Sequence, residues 1–255
     1  MKHDLVIVGT GGSGGWFCQL LAKSSNPERD VTLIDGDKWS KSNLSRQFCT
    51  LRDIYKPKVN TFKKMLEGHC AGLIAIYGYF AYGNDTYKAI LRAMTEPLCI
   101  FAAVDNHPAR MACYALADAI HDERPEQDVC VISVANEYEA ASAWAYLPQW
   151  KDHATLDPRM RWPEMQTDVS GDPLRPSCTG EALESAPQLA LSNMLSASAG
   201  AWLHRFWTEV RPKLEASMQE GGMQAEDLDK LRKTYPVLVD FTSGRNKTYT
   251  VGDYI

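Results

Sequence analysis

The sequence predicts an α/β protein with a mostly parallel sheet, flanking helices and a C-terminal β-hairpin, on three observations. Short apolar β-rich runs alternate with helix-length segments from residue 4 to residue 134, a glycine turn joins the first run to the first helix, and two β-rich runs close the chain. In order, Asp4-Leu5-Val6-Ile7-Val8 is a strand that ends in glycines, and residues 16–24 form a helix with Phe17, Leu20 and Leu21 on its inner face. Residues 31–35 read as a second, buried strand; the right-handed crossover rule makes this strand, turn, helix, strand unit parallel. Helix is expected over 58–66, a weaker strand over 74–79 and helix over 86–94. An apolar strand over 98–104 ends at Asp105, followed by helix over 108–120 and strand over 129–134. Between 148 and 178, Pro148, Pro158, Pro163, Pro173 and Pro176 interrupt a polar stretch, which reads as a long mobile crossover-type loop. Residues 187–210 form a long helix of Ala, Ser, Leu and Trp, and 211–235 are charged and partly helical around Gly221-Gly222. Runs at 237–241 and 247–251 flank a polar turn and form the terminal hairpin.

The composition narrows the classes of function. With 45% hydrophobic and 23% charged residues, the 255-residue chain is an ordinary globular sequence, expected as a single domain. A formal charge of -5 gives no global attraction to nucleic acid or anionic lipid, so neither is expected as a partner. The apolar run near the N-terminus is too short for a signal-peptide core and no later stretch approaches a membrane span; a cytoplasmic location is the expectation. The seven cysteines are odd in number, scattered and never spaced C-x-x-C, as for reduced thiols, so no structural zinc is expected. Cys18, Cys99, Cys113 and Cys130 fall within helix or strand patterns and read as packed small hydrophobes.

Gly9-Thr10-Gly11-Gly12-Ser13-Gly14 fits G-x-G-x-x-G between a strand and a helix, where glycines let backbone amides and a helix N-terminus approach phosphates. Asp35 closes the second strand, where a carboxylate accepts hydrogen bonds from a ribose. These two features make the core Rossmann-like and, alone, favour a dinucleotide-binding oxidoreductase. The segment that follows points elsewhere: Asp35-Gly36-Asp37-Lys38-Trp39-Ser40-Lys41-Ser42-Asn43-Leu44-Ser45-Arg46-Gln47 is polar and charged, and Lys58 opens the next helix. Asn43, Arg46, Gln47 and Lys58 are amide and cationic donors suited to a triphosphate, and Asp105 is placed at a strand end to hold magnesium.

The ordered set G-x-G-G-x-G, D-x-D-x(5)-N-L-x-R-Q, P-K and D-N-x-x-x-R resembles the ThiF/MoeB adenylating enzymes, relatives of ubiquitin-activating enzymes. Here these are Gly9 to Gly14, Asp35 to Gln47, Pro57-Lys58 and Asp105-Asn106-His107-Pro108-Ala109-Arg110. The compact length further resembles the short stand-alone bacterial ThiF proteins. The resemblance implies a nucleotide-binding core over 1–147, the loop over 148–178 and a helical and hairpin part over 179–255. It implies ATP and Mg2+ as cofactors, with Gly9, Gly11, Gly12 and Gly14 at the nucleotide. Asp35 would bind the ribose, Arg46, Gln47 and Lys58 would meet the phosphates, Asn43 would orient them, and Asp105 would coordinate magnesium with Asp37 in support. The implied reaction is attack of the C-terminal glycine carboxylate of a ubiquitin-fold protein on the α-phosphate, with pyrophosphate released.

The resemblance also places Cys178, in Ser177-Cys178-Thr179-Gly180, where several members carry an acyl-accepting or sulfur-transferring cysteine; an inert loop thiol is the alternative. A conjugating enzyme would then receive the acyl group, and the long helix near 188–207, with Ala190, Met194, Ala197, Ala201 and His204 at helical spacing, is either a homodimer seam or part of the monomer core. Two departures stand out. The first strand begins almost at Met1, so the arginine that members carry on a preceding helix is expected to have no counterpart, and Ala135-Asn136-Glu137-Tyr138 is poorer in glycine than the family's segment. Competing functions are adenylation of a small-molecule or RNA-borne carboxylate, a non-catalytic nucleotide-binding partner and, more distantly, a nicotinamide dehydrogenase.

Overall fold

In the computed structural model, residues 4–24, 29–136, 140–170, 189–222, 224–242 and 245–255 are described. The apolar runs Asp4–Val8 (β1), Asp30–Asp35 (β2), Gly72–Tyr77 (β3), Leu98–Ala102 (β4) and Val129–Asn136 (β5) form parallel strands in the order β3-β2-β1-β4-β5. Every residue of β1 and β4 is buried, as a strand covered on both faces requires. The chain runs outward from β1 through β2 to β3 and then returns to add β4 on the other side. The C-terminal ends of β1 and β4 therefore flank the switch point where such sheets open a crevice.

Three antiparallel strands extend the sheet: Ala140–Tyr146 (β6), Pro236–Thr242 (β7) and Arg245–Thr250 (β8). The terminal hairpin is the expected one. Strand β6 was not anticipated, because Ala-Ala-Ser-Ala-Trp-Ala-Tyr carries little local β preference. It is a strand because it lies between β5 and β7, pairing Val134 with Ala143 and Ala143 with Val239.

Gly12–Ser24 (α1), Lys58–Leu66 (α2), Asp85–Ala93 (α3) and His107–Glu123 (α4) connect the parallel strands. Helix α1 begins inside the glycine turn rather than at residue 16. Later come Pro158–Arg161 (α5), Ala190–Arg205 (α6), Arg211–Glu220 (α7) and Ala225–Arg232 (α8), with a π turn at Phe206–Val210 joining α6 to α7. Helix α6 packs on α1, β5 and β6, which makes it a core helix. Its buried face is Ser192, Asn193, Ser196, Ala197, Ala199, Gly200, Leu203 and His204, whereas Met194 and Trp202 are exposed. Small residues let it approach closely: a Cβ on Gly200 would meet Phe101 at 2.7 Å. Cys18, Cys99, Cys113 and Cys130 are buried, as expected. No helix among the described residues is long and apolar enough to cross a membrane.

The expectation of a mobile loop over 148–178 needs correcting for residues 148–170, which form short helical turns at Pro148–Trp150, Pro158–Arg161 and Pro163–Gln166. Leu156, Asp157 and Met165 are buried there. Arg159 fastens this segment to α4 and β6, with NH1 donating to Asp118 Oδ2 at 2.6 Å, NH2 donating to the Tyr146 hydroxyl at 2.6 Å and NH2 donating to Asp157 Oδ2 at 2.8 Å. Burial works against the guanidinium charge, but the hydrogen bonds to Asp157 and Asp118 prevail and hold it above the ordinary arginine range. Proline broke the helical pattern without preventing packing. Arg159→Ala would leave two buried carboxylates without their counter-charge, and a loss of roughly 3–5 kcal/mol in urea unfolding is expected; a loss under about 1 kcal/mol would show the network to be dispensable.

Candidate active site

The turn after β1 is built by close approach. Gly9 adopts φ +88, and a Cβ there would overlap the carbonyl oxygen of Ala103, whose amide donates to Val8 O at 2.8 Å. A Cβ on Gly14 would overlap the Gly9 carbonyl oxygen. The turn thus folds back on itself against the end of β4, and α1 starts at once, presenting its N-terminal amides at the crevice. Asp35, at the end of β2, ties down the same turn: its Oδ2 accepts from Thr10 N at 2.7 Å and from Thr10 Oγ1 at 3.0 Å, and its Oδ1 accepts from Asp37 N at 2.8 Å. Burial pushes the Asp35 carboxyl up from its ordinary range; the Lys58 charge opposes this, while Asp37 adds to it.

The polar segment after β2 folds against α2. Trp39 is 1% exposed and its indole donates to Thr61 Oγ1 at 2.9 Å, while Lys58 N donates to Asp37 O at 3.0 Å. Lys58 is buried despite its charge, and its ammonium meets Asp37 Oδ2 at 2.9 Å and lies 5.8 Å from the centre of the Trp39 ring. Tyr79, beyond β3, donates its hydroxyl to Asp37 Oδ1 at 3.0 Å. The buried Asn43 shapes the next turn: its Oδ1 accepts from Ser40 N at 2.9 Å and its backbone carbonyl accepts from Arg46 N and Gln47 N. That turn delivers Gln47 to the glycines. Measured from where a Gly11 Cβ would lie, Gln47 Nε2 is at 3.7 Å and Lys58 Nζ at 3.8 Å. Gln47 Oε1 is buried with no hydrogen-bond partner among the described residues, while its Nε2 is the group that can donate to a phosphate.

Asp105 follows β4 on the same C-terminal edge of the sheet and is exposed. The rest of its motif builds its loop. Asn106 Oδ1 caps α4 by accepting from Ala109 N at 2.9 Å, and Arg110 donates to Val104 O and to Ser133 Oγ, both at 2.8 Å. Among the described residues there is no group of three His, Cys, Asp or Glu able to hold a metal. One exposed carboxylate suits magnesium, which binds through one or two carboxylates together with substrate phosphates and water. The magnesium role thus fits Asp105, and Asp37 is committed to Lys58 and Tyr79.

The sequence-predicted residues Gly9, Gly11, Gly12, Gly14, Asp35, Asp37, Gln47 and Lys58 are therefore drawn together around the glycine turn, with the backbone of Asn43 and Arg46 forming the adjoining turn. Cys178 lies outside the described residues, as do Glu137 and Tyr138. Residues with no role assigned from the sequence also belong here: Thr10 within the glycine turn, Tyr79 and, on α6, Asn193, whose Nδ2 donates to Arg46 O at 3.1 Å. Asn193 follows Arg46 by 147 positions, and no local pattern could have linked them.

Residues 2–125, from the start of β1 through α4, match the family model described as the ThiF family. Among solved structures, the chain is similar to E. coli MccB with ATP, at 18% identity and a TM-score of 0.57, covering 97% of this chain and 62% of that one. E. coli MccB with AMPCPP and MccA gives 18% identity, a TM-score of 0.56 and the same coverages. PaaA gives 17% identity and a TM-score of 0.54 over 98% of this chain and 64% of its own. The chain spans a little under two thirds of the length of these proteins, and at such identities the likeness is one of fold.

Proposed function

With residues 2–125 matching the ThiF family model, we propose that this chain is an adenylyltransferase that uses ATP to activate the C-terminal glycine carboxylate of a small ubiquitin-fold protein. The observation that carries the reading is the convergence of Gln47 and Lys58 on Gly11 at the N-terminus of α1, beside a buried carboxylate at the end of β2.

In this reading the α1 N-terminus, the Gln47 amide and the Lys58 ammonium hold the triphosphate. The Asp35 carboxylate, with acceptor capacity beyond its three present donors, takes a ribose hydroxyl. Asp105 holds magnesium, which when bound with ATP offsets phosphate charge. The substrate carboxylate oxygen bonds to the α-phosphorus as the bond from that phosphorus to the bridging oxygen breaks, and the electron pair leaves with pyrophosphate. Lys58 lies against Asp37 and so arrives with a fixed position, which favours rate through placement and through charge held in advance. Transfer to Cys178 or to a conjugating enzyme, and pairing of two copies, belong to the same reading.

A second reading is favoured by the likeness to E. coli MccB, solved with AMPCPP and MccA: the activated carboxylate belongs to a peptide without the ubiquitin fold. ATP–pyrophosphate exchange separates the two. Exchange that requires a glycine-ended ubiquitin-fold partner supports the first, and exchange with short peptides alone replaces it with the second. Exchange with neither, in protein that binds ATP, would end the adenylation proposal.

A further inference from the structure

Asn193 is fully buried in the first turn of α6, on its core face, at the centre of hydrogen bonds joining segments remote in sequence. Its Nδ2 donates to Arg46 O at 3.1 Å and its Oδ1 accepts from Asn136 Nδ2 at 2.9 Å. Its backbone carbonyl accepts from Ser196 Oγ at 3.0 Å; that hydroxyl lies 2.6 Å from Ser13 Oγ, which donates to Asn136 Oδ1 at 3.1 Å. On its other side the Asn193 carboxamide abuts the glycine turn, for a Cβ on Gly12 would overlap it. A single buried amide thus stands between the glycines and the carbonyl of the turn that carries Arg46 and Gln47. An amide with both ends bonded in a close-packed interior resists displacement, because moving it leaves buried groups unpaired.

We infer that Asn193 is a positioning residue for the triphosphate: it sets the spacing between the glycine turn and the Arg46–Gln47 turn, so that both meet the same phosphate chain. The inference rests on the ATP reading above. It also predicts where the effect falls. Asp35 makes its hydrogen bonds to Thr10 and Asp37 and none to Asn193 or its partners, so the nucleoside end of the site is expected to depend less on Asn193 than the phosphate end does.

Calorimetric titration of the whole chain with ATP and with AMP, beside thermal unfolding, tests this. Asn193→Asp keeps the size of the side chain and the acceptor for Asn136 but sets an oxygen against the Arg46 carbonyl. ATP affinity is expected to fall about tenfold, the scale of one lost buried hydrogen bond, with AMP affinity within about twofold of wild type. Asn193→Ala should do the same. Its loss should be less than additive with Arg46→Ala, since the two act through one turn. Ser196→Ala removes a neighbouring bond but leaves the Arg46 contact, and should keep the wild-type ratio of ATP to AMP affinity. Equal weakening of ATP and AMP, additive losses with Arg46→Ala, a shifted ratio in Ser196→Ala, or failure of both Asn193 variants to fold would overturn the inference. Wild-type protein that binds no ATP would overturn the ATP reading and this inference with it, and shows itself before any substitution is made.

Discussion

Asp105→Ala is expected to fold as the wild type does and to lose ATP–pyrophosphate exchange by on the order of 10²–10³-fold, the scale of removing one preorganised electrostatic contact in a transition state. The two halves of that result come from one observation. Asp105 is exposed, and the work of building its loop is done by neighbours: Asn106 caps α4, while Arg110 bonds Val104 O and Ser133 Oγ. Removing an exposed carboxylate of this kind should shift unfolding free energy by no more than about 0.5 kcal/mol. A partner-independent measurement tightens the test. ATP affinity of the wild type should rise with magnesium over EDTA, and the variant should show little of that rise. If the variant exchanges pyrophosphate at the wild-type rate, or keeps the full magnesium response, Asp105 is not the magnesium ligand.

Gly9→Ala should fail in the opposite way, losing stability and ATP binding together. At φ +88 an alanine is strained by about 1–2 kcal/mol, and its Cβ would fall on the Ala103 carbonyl. That carbonyl belongs to backbone held by the Ala103 amide donating to Val8 O, so it cannot swing aside as a flexible side chain would. With overpacking costing a further 1–3 kcal/mol or so, about 3 kcal/mol in total is expected. In a chain of this size that corresponds to a melting temperature lower by roughly 6–12 °C. The displaced turn would also carry Thr10 away from Asp35 and the start of α1 away from the phosphates. An alanine variant that melts and binds ATP like the wild type would show that the turn has slack and that its glycine is incidental.

The contrast between these two positions explains how much of the site could be read from the chain. Short-range features were legible because their causes are local. The glycine pattern marks a tight turn within six residues, and Asp35 closes a strand; that Gly9 and Gly12 are also pressed by Ala103 and Asn193, and that Asn43 is taken up by Ser40, lay outside the sequence reading. The parallel half of the sheet was equally legible, since fully buried strands leave continuous apolar runs such as those at residues 4–8 and 98–102. Errors arose where the cause lay elsewhere in the fold. Strand β6 is alanine-rich and is extended because β5 and β7 pair with it. The proline-interrupted stretch at 148–170 looked like loop because its order depends on Arg159 reaching Asp118 on α4 and Tyr146 on β6.

The sequence by itself determined an α/β core with a mostly parallel sheet and named part of the polar set around its glycine turn, because both follow from hydrophobic period and from residues close together in the chain. Only the tertiary structure decided how those groups are arranged. Lys58 is buried against Asp37 and Trp39, Gln47 leaves an unpartnered oxygen beside Gly11, and Asn193 enters the site from α6. The physical reason is that a buried polar group takes whichever partner packing brings within about 3 Å. That partner can lie at any distance along the chain, as Asn193 and Arg46 do, so spacing in the sequence carries no trace of it.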